Sequence, residues 1–349
     1  MEDKTIELTE EVLETFDSRA LLTNAPGFVN SAQFTRDGRY LLTSSDDDFV
    51  RIYNVDKGKC GKVFQSKRFG ARLARFLHNG ANTALLANRC NVAQDLRYWD
   101  FHENRYVRRL TGHRGVVKNI CVHPFSDMVI SVDDFCAMVW DLRKNSPVAT
   151  IPFPAPSNSY FSSGSCAFDP SGMVFSVCGQ DNVIRMFDSR DYSAGQFSSQ
   201  EWDCTEHGAI RQFQFSPDGN SLLVNTNIKM CLIDGFDFSL KVDYQFDYDG
   251  VAIPTFSPDD KYVFCSGMDG AVMAFETESG KFVTALGGHL KPPRVAAFSP
   301  RDCLLATCGV DTVLWTPRDV ATWNPNESEA PAAEEPQFYD FDTFAQDAN

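Results

Sequence analysis

The eleven cysteines contain no CxxC pair, the closest two being Cys303 and Cys308. Zinc ribbons, dithiol redox sites and disulfide frameworks therefore lack their spacing signal, and the thiols read as reduced. The six histidines form no HxxxH or HExxH pattern, and neither GxSxG nor a phosphate-loop sequence occurs. We expect no catalytic residue, no metal and no cofactor. No run approaches the roughly 18 apolar residues of a spanning helix, so a membrane is not expected as a partner. The first residues, MEDKTIEL, are charged rather than apolar, which predicts an untargeted intracellular protein.

Positive charge is absent from residues 319–349, which carry eight acids, and the whole chain has a net charge of -15. Residues 67–118 are the opposite. They hold eleven Lys and Arg against Asp95, Asp100 and Glu103, and eleven minus three leaves +8 on an acidic protein.

The chain does contain a repeat. Phe34, Phe76, Val122, Phe168, Phe215, Phe256 and Phe298 each precede a reversal and a short apolar strand, at spacings of 42, 46, 46, 47, 41 and 42. In Phe215-Ser-Pro-Asp-Gly219, Pro217 presets φ, Asp218 bonds its own backbone and Gly219 accepts positive φ. A second reversal follows in which an Asp stands six residues before a strand-ending aromatic: Asp47 and Tyr53, Asp134 and Trp140, Asp181 and Phe187, Asp269 and Phe275. The residues between alternate with the period of a strand. Gly112-His113 and Gly288-His289 stand before the anchors Val122 and Phe298. Seven units of this length point to WD repeats and an all-β, seven-bladed propeller.

His113, Asp134 and Trp140 resemble the hydrogen-bond set inside a WD blade. His289, Asp311 and Trp315 form a second set whose Asp-to-Trp interval is four rather than six, so its turn must be rebuilt. The last repeat stops near Trp315 without an outer strand, which the offset from Phe34 places at Ser18-Arg-Ala-Leu-Leu22. Leu8, Val12 and Phe16 at helical spacing predict a short covering helix. The expected organisation is a ring-closing segment over 1–27, the propeller over 28–318 and a disordered acidic tail over 319–349.

Val50-Arg-Ile-Tyr53 after Ser44-Ser-Asp-Asp-Asp48, the run from Leu96-Arg-Tyr-Trp-Asp to Arg105-Tyr-Val107, Val139-Trp-Asp-Leu-Arg143 and Met186-Phe-Asp-Ser-Arg190 narrow the likeness. Over residues 8–317 the chain resembles the WD repeat-containing protein 82 family. That resemblance implies a non-catalytic nuclear scaffold, a monomeric subunit shared by two kinds of hetero-complex. Its partners would be a histone methyltransferase subunit in a COMPASS-type complex, or a type-1 protein phosphatase with its targeting subunit, acting in transcription termination and RNA 3′-end events. It also implies an association with phosphorylated RNA polymerase II C-terminal repeats. The chain departs from the family pattern in the third repeat's turn, which lacks its Gly, and in the residues that follow the last blade. The rival reading is a substrate receptor for a cullin-type ubiquitin ligase, since Asp134 with Trp140-Asp-Leu-Arg143 resembles the box of such receptors.

The acidic triplet Asp46-Asp47-Asp48 reads as a strand reversal rather than a cation site. Arg72, Arg75, Arg97, Arg105, Arg108, Arg109, Arg114 and Lys118 are a candidate patch for acidic or phosphorylated peptide, because guanidinium forks pair phosphate oxygens. The same charges also suit solvated strand edges. Direct nucleic-acid binding ranks lower, since the chain is acidic and no aromatic-basic RNA motif interleaves the patch. Phe338, Tyr339, Phe341 and Phe344, interspersed with Asp340 and Asp342, are a candidate docking motif in the tail.

Overall fold

The computed structural model describes residues 7–22, 27–78, 80–89, 94–155, 162–248, 250–318 and, as backbone, 337–340. Each anchor lies on the first strand of an antiparallel sheet of four strands, to which blade one adds a fifth. These inner strands are Val29–Phe34, Leu73–Leu77, Asn119–Val122, Ser165–Phe168, Ile210–Phe215, Thr255–Phe256 and Val295–Phe298. The corresponding outer strands are Lys59–Gln65, Arg105–Leu110, Ala149–Pro152, Ser198–Glu201, Leu240–Tyr244, Phe282–Leu286 and, for the seventh blade, Phe16–Leu22. The chain is a seven-bladed β-propeller.

The reversals follow from their residues. Gly38, Gly172 and Gly219 take positive φ after the anchors, and Asp260 stands in for glycine at φ 63. In the third blade, whose turn has no glycine, the ring nitrogen Nδ1 of His123 accepts from Phe125 N at 3.0 Å.

Closure comes from the N-terminal strand, which pairs antiparallel with Thr312–Pro317, Leu22 opposite Thr312 and Phe16 opposite Pro317. Closing the ring removes the unpaired edge that an open stack of blades would expose. Thr9 caps the helix Glu10–Glu14, its hydroxyl accepting from Val12 N at 3.3 Å. That helix places Leu13 beside Phe264, Leu286 and Trp315, sealing the join between blades six and seven. Both faces of each sheet are apolar because the blades pack on one another: Leu85, Leu96 and Leu110 of blade two meet Val129, Met138 and Trp140 of blade three. Each such buried aliphatic side chain contributes about 1.5–3 kcal/mol.

The tail is not wholly without structure. Gln337–Asp340 forms a strand parallel to the outer strand of blade one, Gln337 opposite Lys62 and Asp340 opposite Gln65. The expectation of a disordered end is corrected for these four residues, which include Phe338 and Tyr339. Phe341 and Phe344 lie outside the described residues, as does the rest of the tail.

Candidate protein interface

The strand order gives the ring two unlike faces. One carries the turns between second and third strands and the links between blades, here the link face. The other carries the turns after the anchors and those between third and fourth strands, here the turn face.

On the link side of blade three, Ser131 Oγ accepts from Trp140 Nε1 at 2.7 Å and lies 2.5 Å from His113 Nε2. His113 Nδ1 lies 2.9 Å from Asp133 Oδ2. One proton arrangement satisfies all of these: indole to hydroxyl, hydroxyl to imidazole, imidazole to carboxylate. Asp133 also accepts from the backbone N–H groups of Arg114, Gly115, Phe135 and Cys136, at 2.7–3.2 Å. Burial pushes this carboxyl up, but hydrogen bonds from His113, Phe135 and Gly115 outweigh it and hold it well below the ordinary carboxylate range.

The carboxylate in this set is therefore Asp133, and the assignment to Asp134 is corrected. Asp134 instead pairs with Lys118 at 3.3 Å, where both side chains meet solvent. In blade one Ser45 hydroxyl bonds Asp47, two residues on, and Asp133 keeps that Ser-x-Asp step from Ser131. Blade three has one more residue between the carboxylate and its aromatic, so counting back from Trp140 lands one residue late. The hydroxyl members Ser131 and Thr307 were missed as well; that same Ser-x-Asp step is the signal that finds Ser131.

In blade seven, Thr307 Oγ1 joins His289 Nε2 at 2.6 Å to Trp315 Nε1 at 2.7 Å. The position two after Thr307 is Gly309, whose N–H donates to the backbone carbonyl of Asp311 at 2.8 Å. Among the described residues no carboxylate hydrogen-bonds His289, so Asp311 belongs to the rebuilt turn and not to the side-chain set. Burial lowers the pKa of His289, with the nearby Asp311 charge opposing.

His113, Asp133 and Cys136 place ligand-type atoms within 4.8 Å of one another. The Asp133 oxygens are occupied by N–H donors, and burial, reinforced by the Asp133 charge, pushes the Cys136 thiol up to about 12. A protonated thiol is a poor metal ligand, and this cluster reads as a structural node.

The candidate cations do not form one patch. Arg97 is buried, its guanidinium carbon 3.4 Å from the Phe69 ring centre and 5.0 Å from that of Tyr106. Arg75 points from an inner strand into the central channel, a cavity of about 330 Å³ that Gln33, Gln212 and Gln214 also line. Arg105 pairs with Glu103, and Arg108 reaches the Arg143 carbonyl and Asn145 of the next blade, both on the turn side. Arg109 pairs with the buried Asp95 at 2.6 Å. Alternation along Arg105–Leu110 sends neighbouring side chains to opposite sides, which the sequence pattern alone cannot undo. On the link face Arg72 and Arg114 remain, with no side-chain hydrogen bond or ion pair to another described residue, beside Lys118.

The link face also carries exposed apolar tips that the sequence reading did not select. Phe135, Ile228 and Met268 occupy second turns, Val251 and Leu290 occupy blade links, and Leu290 is 89% exposed. Each stands in a turn or link that ordinarily takes a polar residue, and that misfit was the available signal. Cations over blades two and three and apolar tips over blades three, five, six and seven give this face the mixture of charge and apolar area that protein interfaces use.

The WD domain, G-beta repeat family matches residues 18–54, 104–141 and 161–188. The Set1 complex component swd2 of Schizosaccharomyces pombe is 30% identical over 279 residues, covering 75% of this chain and 75% of that protein. The chain belongs to the WD repeat-containing protein 82/Swd2 family. Drosophila melanogaster WD repeat-containing protein 82 is 28% identical over 324 residues, 89% of this chain and 98% of that protein. In fold, the chain is similar to the β-propeller domain of Myceliophteria thermophila Cps50 (Swd1). That likeness has a TM-score of 0.70 at 16% identity and covers 86% of this chain and 99% of that one.

Proposed function

We propose that this member of the WD repeat-containing protein 82/Swd2 family is a non-catalytic nuclear scaffold subunit. It holds a histone methyltransferase subunit of a COMPASS-type complex, and in a second assembly a type-1 phosphatase with its targeting subunit, acting in transcription termination. The carrying observation is the 30% identity to a Set1 complex component over three quarters of the chain. The propeller contributes binding surfaces, and the link face is the one whose cations and apolar tips suit a protein partner.

Affinity purification of the full chain from nuclear extract, followed by mass spectrometry, tests this reading. Methyltransferase subunits are expected, with or without the phosphatase set; recovery of a cullin adaptor in their place overturns it. Phosphorylated polymerase C-terminal repeats are the proposed ligand of Arg72 and Arg114. Replacing both with Glu should weaken a serine-phosphorylated repeat peptide at least ten-fold with unchanged melting, and unchanged affinity removes this pair from the account.

A further inference from the structure

The tail strand on blade one points to a use for that edge. We propose that the outer edge of blade one is a strand-addition site for extended, acidic and aromatic segments of partner proteins, held in cis by residues 337–340. An edge strand presents a row of free N–H and C=O groups, and an extended segment satisfies them with main-chain hydrogen bonds.

The local backbone shows why this edge accepts a strand. Ile52 pairs with Lys62 and Tyr53 with Cys60, so Gly61 is a bulge and the regular run is Lys62 to Gln65. Those are the four residues paired by 337–340. After its own bulge, the edge of blade two carries Arg108 and Arg109, and the edge of blade three ends in Pro152. Two adjacent cations and a proline discourage pairing, whereas this run carries a single cation, Lys62, followed by the uncharged Val63, Phe64 and Gln65.

Charge complementarity defines the occupant. Lys57, Lys59, Lys62 and Lys67 flank or lie within the edge, and residues 57–67 contain no acid. Asp340 lies within the paired segment, Glu334, Glu335 and Asp342 flank it in the sequence, and residues 319–349 contain no Lys or Arg. Tethering holds a weak strand in place at an effective concentration of about millimolar. A partner segment of the same chemistry must therefore outcompete the tail, which makes the edge selective for strong or clustered partners. This site lies on the rim of the ring, its Gln65 end adjoining the link face, and stands whichever complex the protein joins.

The test uses the full chain and a double variant, Phe338→Pro with Tyr339→Pro, which removes two successive tail donors and leaves every propeller residue in place. The probe is a labelled synthetic peptide of residues 333–345. The double variant should bind it with a micromolar Kd, and the unaltered chain at least ten-fold more weakly. Adding Lys59→Glu and Lys62→Glu to the double variant should weaken the peptide at least ten-fold without changing melting. Independently, amide exchange over residues 62–65 should be at least ten-fold faster in the double variant than in the unaltered chain. Equal peptide affinity for the two chains, binding to neither, equal binding of a scrambled peptide, or unchanged exchange over 62–65 would each overturn the proposal.

Discussion

Blade three and blade seven join a Trp to a His through one hydroxyl, and they differ in what holds the His. In blade three Asp133 ties the His113 ring to four backbone N–H groups of the link and the turn. In blade seven that place is Gly309, and the side chain of His289 is tied through Thr307. Blade seven also takes its outer strand from the other end of the chain. Blade three, made of one continuous segment, has an electrostatic clamp between its link and its turn, whereas the ring-closing blade has a neutral ladder and a sealing helix. The chemistry common to both is the indole and hydroxyl pair, so that pair organises the strands and the carboxylate fixes the link.

Removing the clamp should produce the largest effect. Asp133→Ala leaves His113 and four backbone donors without their buried acceptor, which should cost about 3 kcal/mol in the urea unfolding free energy. A loss under about 1 kcal/mol would mean that blade three is held as blade seven is, by the hydroxyl alone.

The shared hydroxyl gives the next contrast. Ser131→Ala and Thr307→Val each strand an indole N–H and an imidazole nitrogen, and each should cost about 1–3 kcal/mol. Their local consequences should diverge. Asp133 still holds the link around His113, so amide exchange at residues 112–115 should stay slow in Ser131→Ala. Exchange at residues 287–290 should rise in Thr307→Val, where no second side-chain hydrogen bond to His289 exists among the described residues. Equal acceleration in both would erase the distinction between the blades.

Much of this architecture was legible because it is local and repeated. The anchors, the turns after them and the pairing of Ser18–Leu22 follow from residue types at a fixed interval. The Asp133 assignment was not, because one extra turn residue shifts a count taken from Trp140 but not one taken from Ser131. Burial of Arg97 depends on Phe69 and Tyr106, which come together only when the blade forms. The strand at 337–340 pairs with a segment more than 270 positions away, and its four residues carry no periodic signal of their own.

Acid should separate the blades by window. His289 has a lowered pKa in the fold, so the unfolded chain binds more protons as pH falls through 6.5. The contribution of His289 is full above that value and is lost below it. The lowered pKa of Asp133 works the same way about its own reference of 3.8, so that contribution persists until the pH falls below about that value. Indole N–H exchange should therefore accelerate first at Trp315 and only at lower pH at Trp140. The reverse order would place the weaker clamp in blade three.

The smallest effect should come from the two acids that lie outside the side-chain sets. Asp134 and Lys118 are each about a quarter exposed and 3.3 Å apart, a surface pair of the kind that contributes about 0–1 kcal/mol. Asp134→Ala should therefore shift the urea midpoint far less than Asp133→Ala, although the two residues are adjacent. Asp311 supplies the rebuilt turn through its backbone carbonyl, which Asp311→Ala keeps, so this change should also fall under about 0.5 kcal/mol. It should also lower the His289 pKa further, since the nearby carboxylate is what opposes the effect of burial there. Nuclear magnetic resonance titration of His289 reads that shift directly. A stability loss as large as that of Asp133→Ala would show that Asp311 clamps blade seven after all, through contacts its backbone does not supply.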